Sequence, residues 1–159
     1  MQNKKIFLIV IFVLSVSYSF AQTKPLTPQR PTSIATPGNI KLLPEYTHEA
    51  GRGIDSAVGS ISKKDGLTIR YDIGGMAGNY TESRVANNKE NIVWQKRQKV
   101  NDDDLLIAYF KDGQIMASYF KASANFLAKT NSQEDIVDFL VMVMTYNPSE
   151  NQSNQKLTK

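Results

Sequence analysis

The densest hydrophobic pattern in the chain runs from Asp104 to Lys121, where Leu-Leu-Ile-Ala-Tyr-Phe and Ile-Met-Ala-Ser-Tyr-Phe flank Lys-Asp-Gly-Gln. It predicts a β-hairpin. Asp112-Gly113 suits a two-residue turn, because primed turns need positive φ and Asp and Gly tolerate it best. Such a turn sets Ala108 opposite Ala117. Leu105, Ile107, Tyr109, Met116 and Phe120 then share one face, and Leu106, Ala108, Phe110, Ile115, Ala117 and Tyr119 share the other. Both faces are apolar. Burying a large apolar side chain is worth roughly 1.5–3 kcal/mol, so one bare face would forgo an energy comparable to a whole domain's net stability. The hairpin is therefore expected at the centre, covered on both sides, with a helix over Ala108 and Ala117.

Elsewhere the alternation is weaker but readable. Leu67, Ile69, Tyr71 and Ile73 alternate with Thr68, Arg70 and Asp72, which predicts a half-buried strand. Residues 57–62 form a shorter strand before it, joined through Lys63-Lys64-Asp65-Gly66. A third strand covers 92–100 and contains Trp94. Its Lys96, Arg97 and Lys99 mark it as exposed or at an edge, where charge discourages pairing with another molecule. Residues 45–55 and 74–91 read as loops, and 122–129 as a short extended segment. The one predicted helix starts at Ser132, with Asp135 placed as in a capping box. Ile136, Phe139, Leu140, Val143 and Met144 recur at helical spacing, Val137, Val141 and Met142 widen the stripe, and Pro148 ends it. The expected fold is one α+β domain over residues 46–146. It is an antiparallel sheet of about five strands, a meander with two Asp-Gly hairpins, packed by one C-terminal helix.

The ends of the chain change the picture of where it works. Lys4 and Lys5 precede an apolar run from Ile6 to Val16, and Ser19 and Ala21 supply the small residues that a signal peptidase accepts. Residues 1–21 are thus expected to be a signal peptide. Prolines 25, 28, 31, 37 and 44 predict a disordered linker over 22–45, and 147–159 reads as a polar tail. Loss of the two leader lysines lowers the formal charge from +4 to +2, which gives no argument for nucleic acid. The chain has no cysteine, so disulfides, thiolate metal sites, a cysteine nucleophile and a lipid-modified cysteine are all excluded. An exported protein of the periplasm or medium, not a lipoprotein, is the expectation.

Candidate chemistry is sparse. His48-Glu49 with Asp55-Ser56 has the residue types of a nucleophilic triad, but a glycine-containing loop promises no rigid frame to hold them. Gly74, Gly75 and Gly78 end a strand and could admit a ligand to the backbone, with Arg70 and Asp72 beside them on one strand face. No Lys-Ser/Thr pair follows these glycines, which weakens a phosphate-loop reading. Asp102-Asp103-Asp104 lacks calcium-loop spacing and reads as a solvated turn. No metal or cofactor is implied. Trp94, Met142 and Met144 are candidates for a surface that meets another protein, because the helix is apolar on more than one side. The leading expectation is a non-enzymatic protein- or peptide-binding module of the inhibitor or accessory-subunit type, with a partner or a second copy as its target. A small hydrolase or ligand-binding protein using the Gly74–Gly78 loop, Arg70, Asp72 and His48 is the rival.

Overall fold

The computed structural model describes residues 36–75 and 77–148. The expected signal peptide, most of the expected linker and nearly all of the tail lie outside the described residues. Seven strands form one open antiparallel sheet: β1 (Tyr46–Ala50), β2 (Ala57–Lys63), β3 (Thr68–Ile73), β4 (Ile92–Val100), β5 (Asp103–Phe110), β6 (Gln114–Tyr119) and β7 (Ala124–Lys129). Their order is β1-β2-β3-β7-β6-β5-β4. Two helices, α1 (Tyr80–Asn87) and α2 (Gln133–Val143), complete the domain. The α+β class stands, with seven strands in place of five and two helices in place of one. The chain leaves β3 through the glycines, crosses by α1 to the far edge, and meanders back through β4, β5 and β6. β7 then docks against β3, so the weakly patterned segment 124–129 lies mid-sheet with a neighbour on either side.

The central hairpin is buried on both faces, but its register differs from the expected one. Leu105 pairs with Tyr119, Ile107 with Ala117 and Tyr109 with Ile115. Residues 111–113 form a three-residue loop in which the Gly113 N–H donates to the Phe110 carbonyl at 3.0 Å, Gly113 is left-handed at φ 81°, and Asp112 is not. This is a type I turn followed by a left-handed glycine, steadied by Asp112 Oδ1 accepting the Gln114 N–H at 3.1 Å. A shift of one residue moves a whole strand's side chains to the opposite face. Ile115, Ala117 and Tyr119 therefore join Leu105 and Ile107, while Met116 joins Ala108 and Phe110. Ala108 and Ala117 lie on opposite faces, and α2 packs on the Ala117 side. The two-residue turn falls one connection earlier, between β4 and β5, where Asn101 and Asp102 both have positive φ, at 50° and 61°.

The larger core lies under α2, where Phe139, Met142, Val143 and Tyr146 meet Ile69, Phe126, Tyr119 and Ile61. Ser132 caps the helix by accepting the Asp135 N–H at 3.4 Å. Residues 36–45, within the stretch expected to be a linker, pack onto this layer: Ile40 is only 3% exposed, and Gly38 sits where a Cβ would collide with the Tyr146 ring. Tyr119 donates to the Val143 carbonyl at 3.1 Å, and burial raises its hydroxyl well above the usual tyrosine range.

The opposite face is covered by α1, in the stretch expected to be loop. It is held by polar bonds more than by grease. Ser118 Oγ accepts the Thr81 N–H at 3.2 Å and lies 2.7 Å from Thr81 Oγ1 and 2.6 Å from Asn125 Oδ1. One hydroxyl proton cannot serve both, so Thr81 donates to Ser118 and Ser118 to Asn125. Asn125 Oδ1 also accepts the Tyr80 N–H, while its amide nitrogen donates to the carbonyls of Ala77 and Gly78. Asp103 is likewise no solvated turn residue. It is 1% exposed, and its carboxylate accepts the N–H groups of Lys121 and Ala122 at 2.8 and 2.9 Å, tying the β6–β7 turn to β5.

Candidate interaction surface

The alternation of the strands decides which candidate residues can meet. His48 lies on the α2 face of β1, where its Nε2 is 2.7 Å from the Tyr71 hydroxyl and its ring stacks on the Tyr71 ring. Arg70 and Asp72 lie on the α1 face of β3. His48 and Asp72 therefore point to opposite sides of the sheet, and a joint acid–base site between them is not assembled. The glycines turn the chain toward α1: Gly74 N–H donates to the Ser123 carbonyl at 3.1 Å and Ala77 N–H to the Gly74 carbonyl at 2.9 Å. Gly74 opens onto a depression of about 570 Å³ lined by Pro37, Ile54, Asp55, Ser56, Ala57 and Ile73. Arg70 lines a separate one with Thr68, Gln114 and Lys129. Asp72 instead accepts a 2.6 Å bond from the Tyr80 hydroxyl, beside the α1 N-terminus.

Two of the three partner residues, Trp94 and Met144, lie on the same side of the sheet, four β4 positions apart. Gln98 donates to the Met144 sulfur at 3.8 Å, and Trp94, two positions along each way from Lys96, shares the face of Gln98. Trp94 tilts against Tyr109 with ring centroids 6.0 Å apart. Met142 is the exception. It is fully buried and belongs to the core, because its position on α2 turns it inward beside Phe139.

The outer side of α2 is apolar where a surface helix is ordinarily polar. Val137, Val141 and Met144 are 56%, 45% and 42% exposed, and their spacing places them in one stripe. Ile136 and Leu140 lie half-buried between this stripe and the core. Charged contacts fasten the helix along one flank. Asp138 accepts a 2.8 Å bond from the Tyr46 hydroxyl, and Lys63 Nζ lies 3.6–3.8 Å from Glu134, Asp135 and Asp138. Burial, then the bond to Asp138, raises the Tyr46 hydroxyl above its ordinary range. Toward β4, Ile136, Leu140, Trp94 and Tyr109 are half-buried against the core, and Met144 lies beside Gln98.

β4 itself is a sheet edge, in keeping with its charges. Among the described residues it pairs with β5 alone. A bulge lies at its start, between Ile92 and Trp94. On its α1 side a depression of about 530 Å³ is floored by Val85, Ala86 and Leu106 and rimmed by Lys89, Arg97 and Glu82. Arg97 bonds Glu82 at 3.0 Å and stacks over Phe120 at 4.4 Å. Val137 and Val141 are not among the residues expected at a partner surface, although their spacing from Met144 carries the signal. Among the described residues no group of three or more His, Cys, Asp and Glu side chains could hold a metal ion. Compared with known proteins, the chain matches no family model, no curated protein and no solved structure.

Proposed function

We propose that this is a protein- or peptide-binding domain of an exported protein, acting through the surface formed by the outer stripe of α2 and the neighbouring β4 edge. The observation that carries the reading is the exposure of Val137, Val141 and Met144 on a helix whose opposite side already fills the core with Phe139, Met142 and Val143. Grease on that inner side is explained by folding; on the outer side it is not, and contiguous apolar surface of this kind marks interaction sites. Trp94 and Met144 supply the large and adaptable side chains that such contacts favour. The rival small-ligand reading has one observation in its favour, the buried Asp72 Oδ1 without a partner among the described residues. Against it, Arg70 and Gly74 line separate depressions, and the Ala77 and Gly78 carbonyls are spent on Asn125.

A photo-crosslinking side chain placed at Val141 in cells that export the protein tests this, with the same group at exposed Thr68 on the polar sheet face as control. A discrete adduct from position 141 and none from 68 is expected. Equal labelling from both, or none from either, contradicts the surface.

A further inference from the structure

We propose that the β4 edge takes up an extended segment of another protein as an added strand, and that this segment alternates apolar with acidic residues. The inference rests on the surface just described and assigns the chemistry of its partner.

β4 is the longer of the two sheet edges, nine residues against five in β1, and an unpaired edge offers backbone N–H and C=O groups to an incoming strand. Its two sides ask for different things. Trp94, Lys96 and Gln98 face the α2 side, which also carries half-buried Tyr109 and Leu140 and, beside Gln98, Met144. Gln95, Arg97 and Lys99 face the α1 side, beside the depression rimmed by Lys89. A strand laid along β4 sends successive side chains to these two sides in turn. Apolar groups then cover the α2 side, and carboxylates meet the cations.

The charges choose among possible occupants. β4 carries Lys96, Arg97 and Lys99 and no carboxylate. Glu82 is spent on Arg97, and Asp104 stands one strand inward, opposite Lys99. Lys96 and Lys99 make no ion pair among the described residues. A second copy pairing antiparallel at this edge would set cations against cations, which is destabilising. The chain's own ends fit no better: residues 22–35 hold Lys24 and Arg30 without an acid, and 149–159 hold Lys156 and Lys159 against Glu150. A foreign acidic segment is the complementary occupant.

The test uses the purified protein and a synthetic peptide of alternating valine and glutamate, with a valine–lysine peptide and a valine–glutamate peptide N-methylated at every residue as controls. The glutamate peptide is expected to bind at least about tenfold more tightly than either control, and Lys89→Glu/Lys99→Glu should reverse the preference toward the lysine peptide. Equal binding of the N-methylated peptide overturns strand addition, and an unchanged preference in the double variant overturns the charge assignment. If Val141 yields its discrete adduct while the peptides bind without regard to charge or backbone, this inference falls and the binding surface stands; absence of that adduct removes both.

Discussion

Individual polar side chains carry more of this fold than their number suggests. Asp103 satisfies two amides of the β6–β7 turn from a buried position, so Asp103→Ala leaves both without a partner. A buried unmet donor costs about 1–3 kcal/mol, and denaturant unfolding of this variant should show a loss of at least that size. Nothing at the level of sequence separates Asp103 from Asp102 and Asp104. The three differ only in which way a two-residue turn aims them, and that turn is set by Asn101 and Asp102 accepting positive φ. Gly113 was legible as a turn glycine, though not its partner residues. Adding a Cβ there combines a φ of 81° with a 2.6 Å approach to Asn131 Oδ1, so Gly113→Ala should cost about 1–2 kcal/mol. Gly75→Ala should be nearly silent, since among the described residues nothing beyond its chain neighbours lies within 4 Å of the added carbon.

At the scale of elements, hydrophobic alternation found β2, β3 and the strands of the central hairpin, and helical spacing with a Ser132 cap found α2. Two kinds of element escaped it. α1 buries only Thr81 fully and is held by Ser118 and Asn125, so it has no apolar stripe to read. β1 is too short and mixed to announce itself, and β7, legible as a short extended segment, owes its central place to pairing partners distant in the chain. The same contrast separates two classes of substitution on α2. Phe139→Ala should cost about 3–5 kcal/mol by opening the core. Val137→Ser with Val141→Ser should leave stability within about 0.5 kcal/mol per site, yet abolish the photo-adduct at neighbouring Met144. A double variant as destabilised as Phe139→Ala would mean that the stripe serves folding.

Across the molecule, the aromatic side chains tie stability to alkaline pH. Burial raises the Tyr46 and Tyr119 hydroxyls above the ordinary value of 10.0, and the Asp138 bond adds to the effect at Tyr46. Above that value an unfolded tyrosine releases a proton that the folded one keeps. The unfolded state then binds fewer protons, and stability falls as pH rises, having been complete below pH 10. Unfolding midpoints should therefore drop on the alkaline side of 10, less steeply in Tyr46→Phe; ordinary titration of every tyrosine in the folded protein would contradict this.

The arrangement as a whole is a sheet sealed at its centre and unfinished at one margin, and amide hydrogen exchange of the isolated protein reads both properties at once. Residues 105–109 and 115–119 should exchange only with global unfolding, while the outward amides of 94–100 should exchange far faster. Protection of 94–100 equal to that of the central hairpin in dilute protein, or a central hairpin as open as β4, would contradict this.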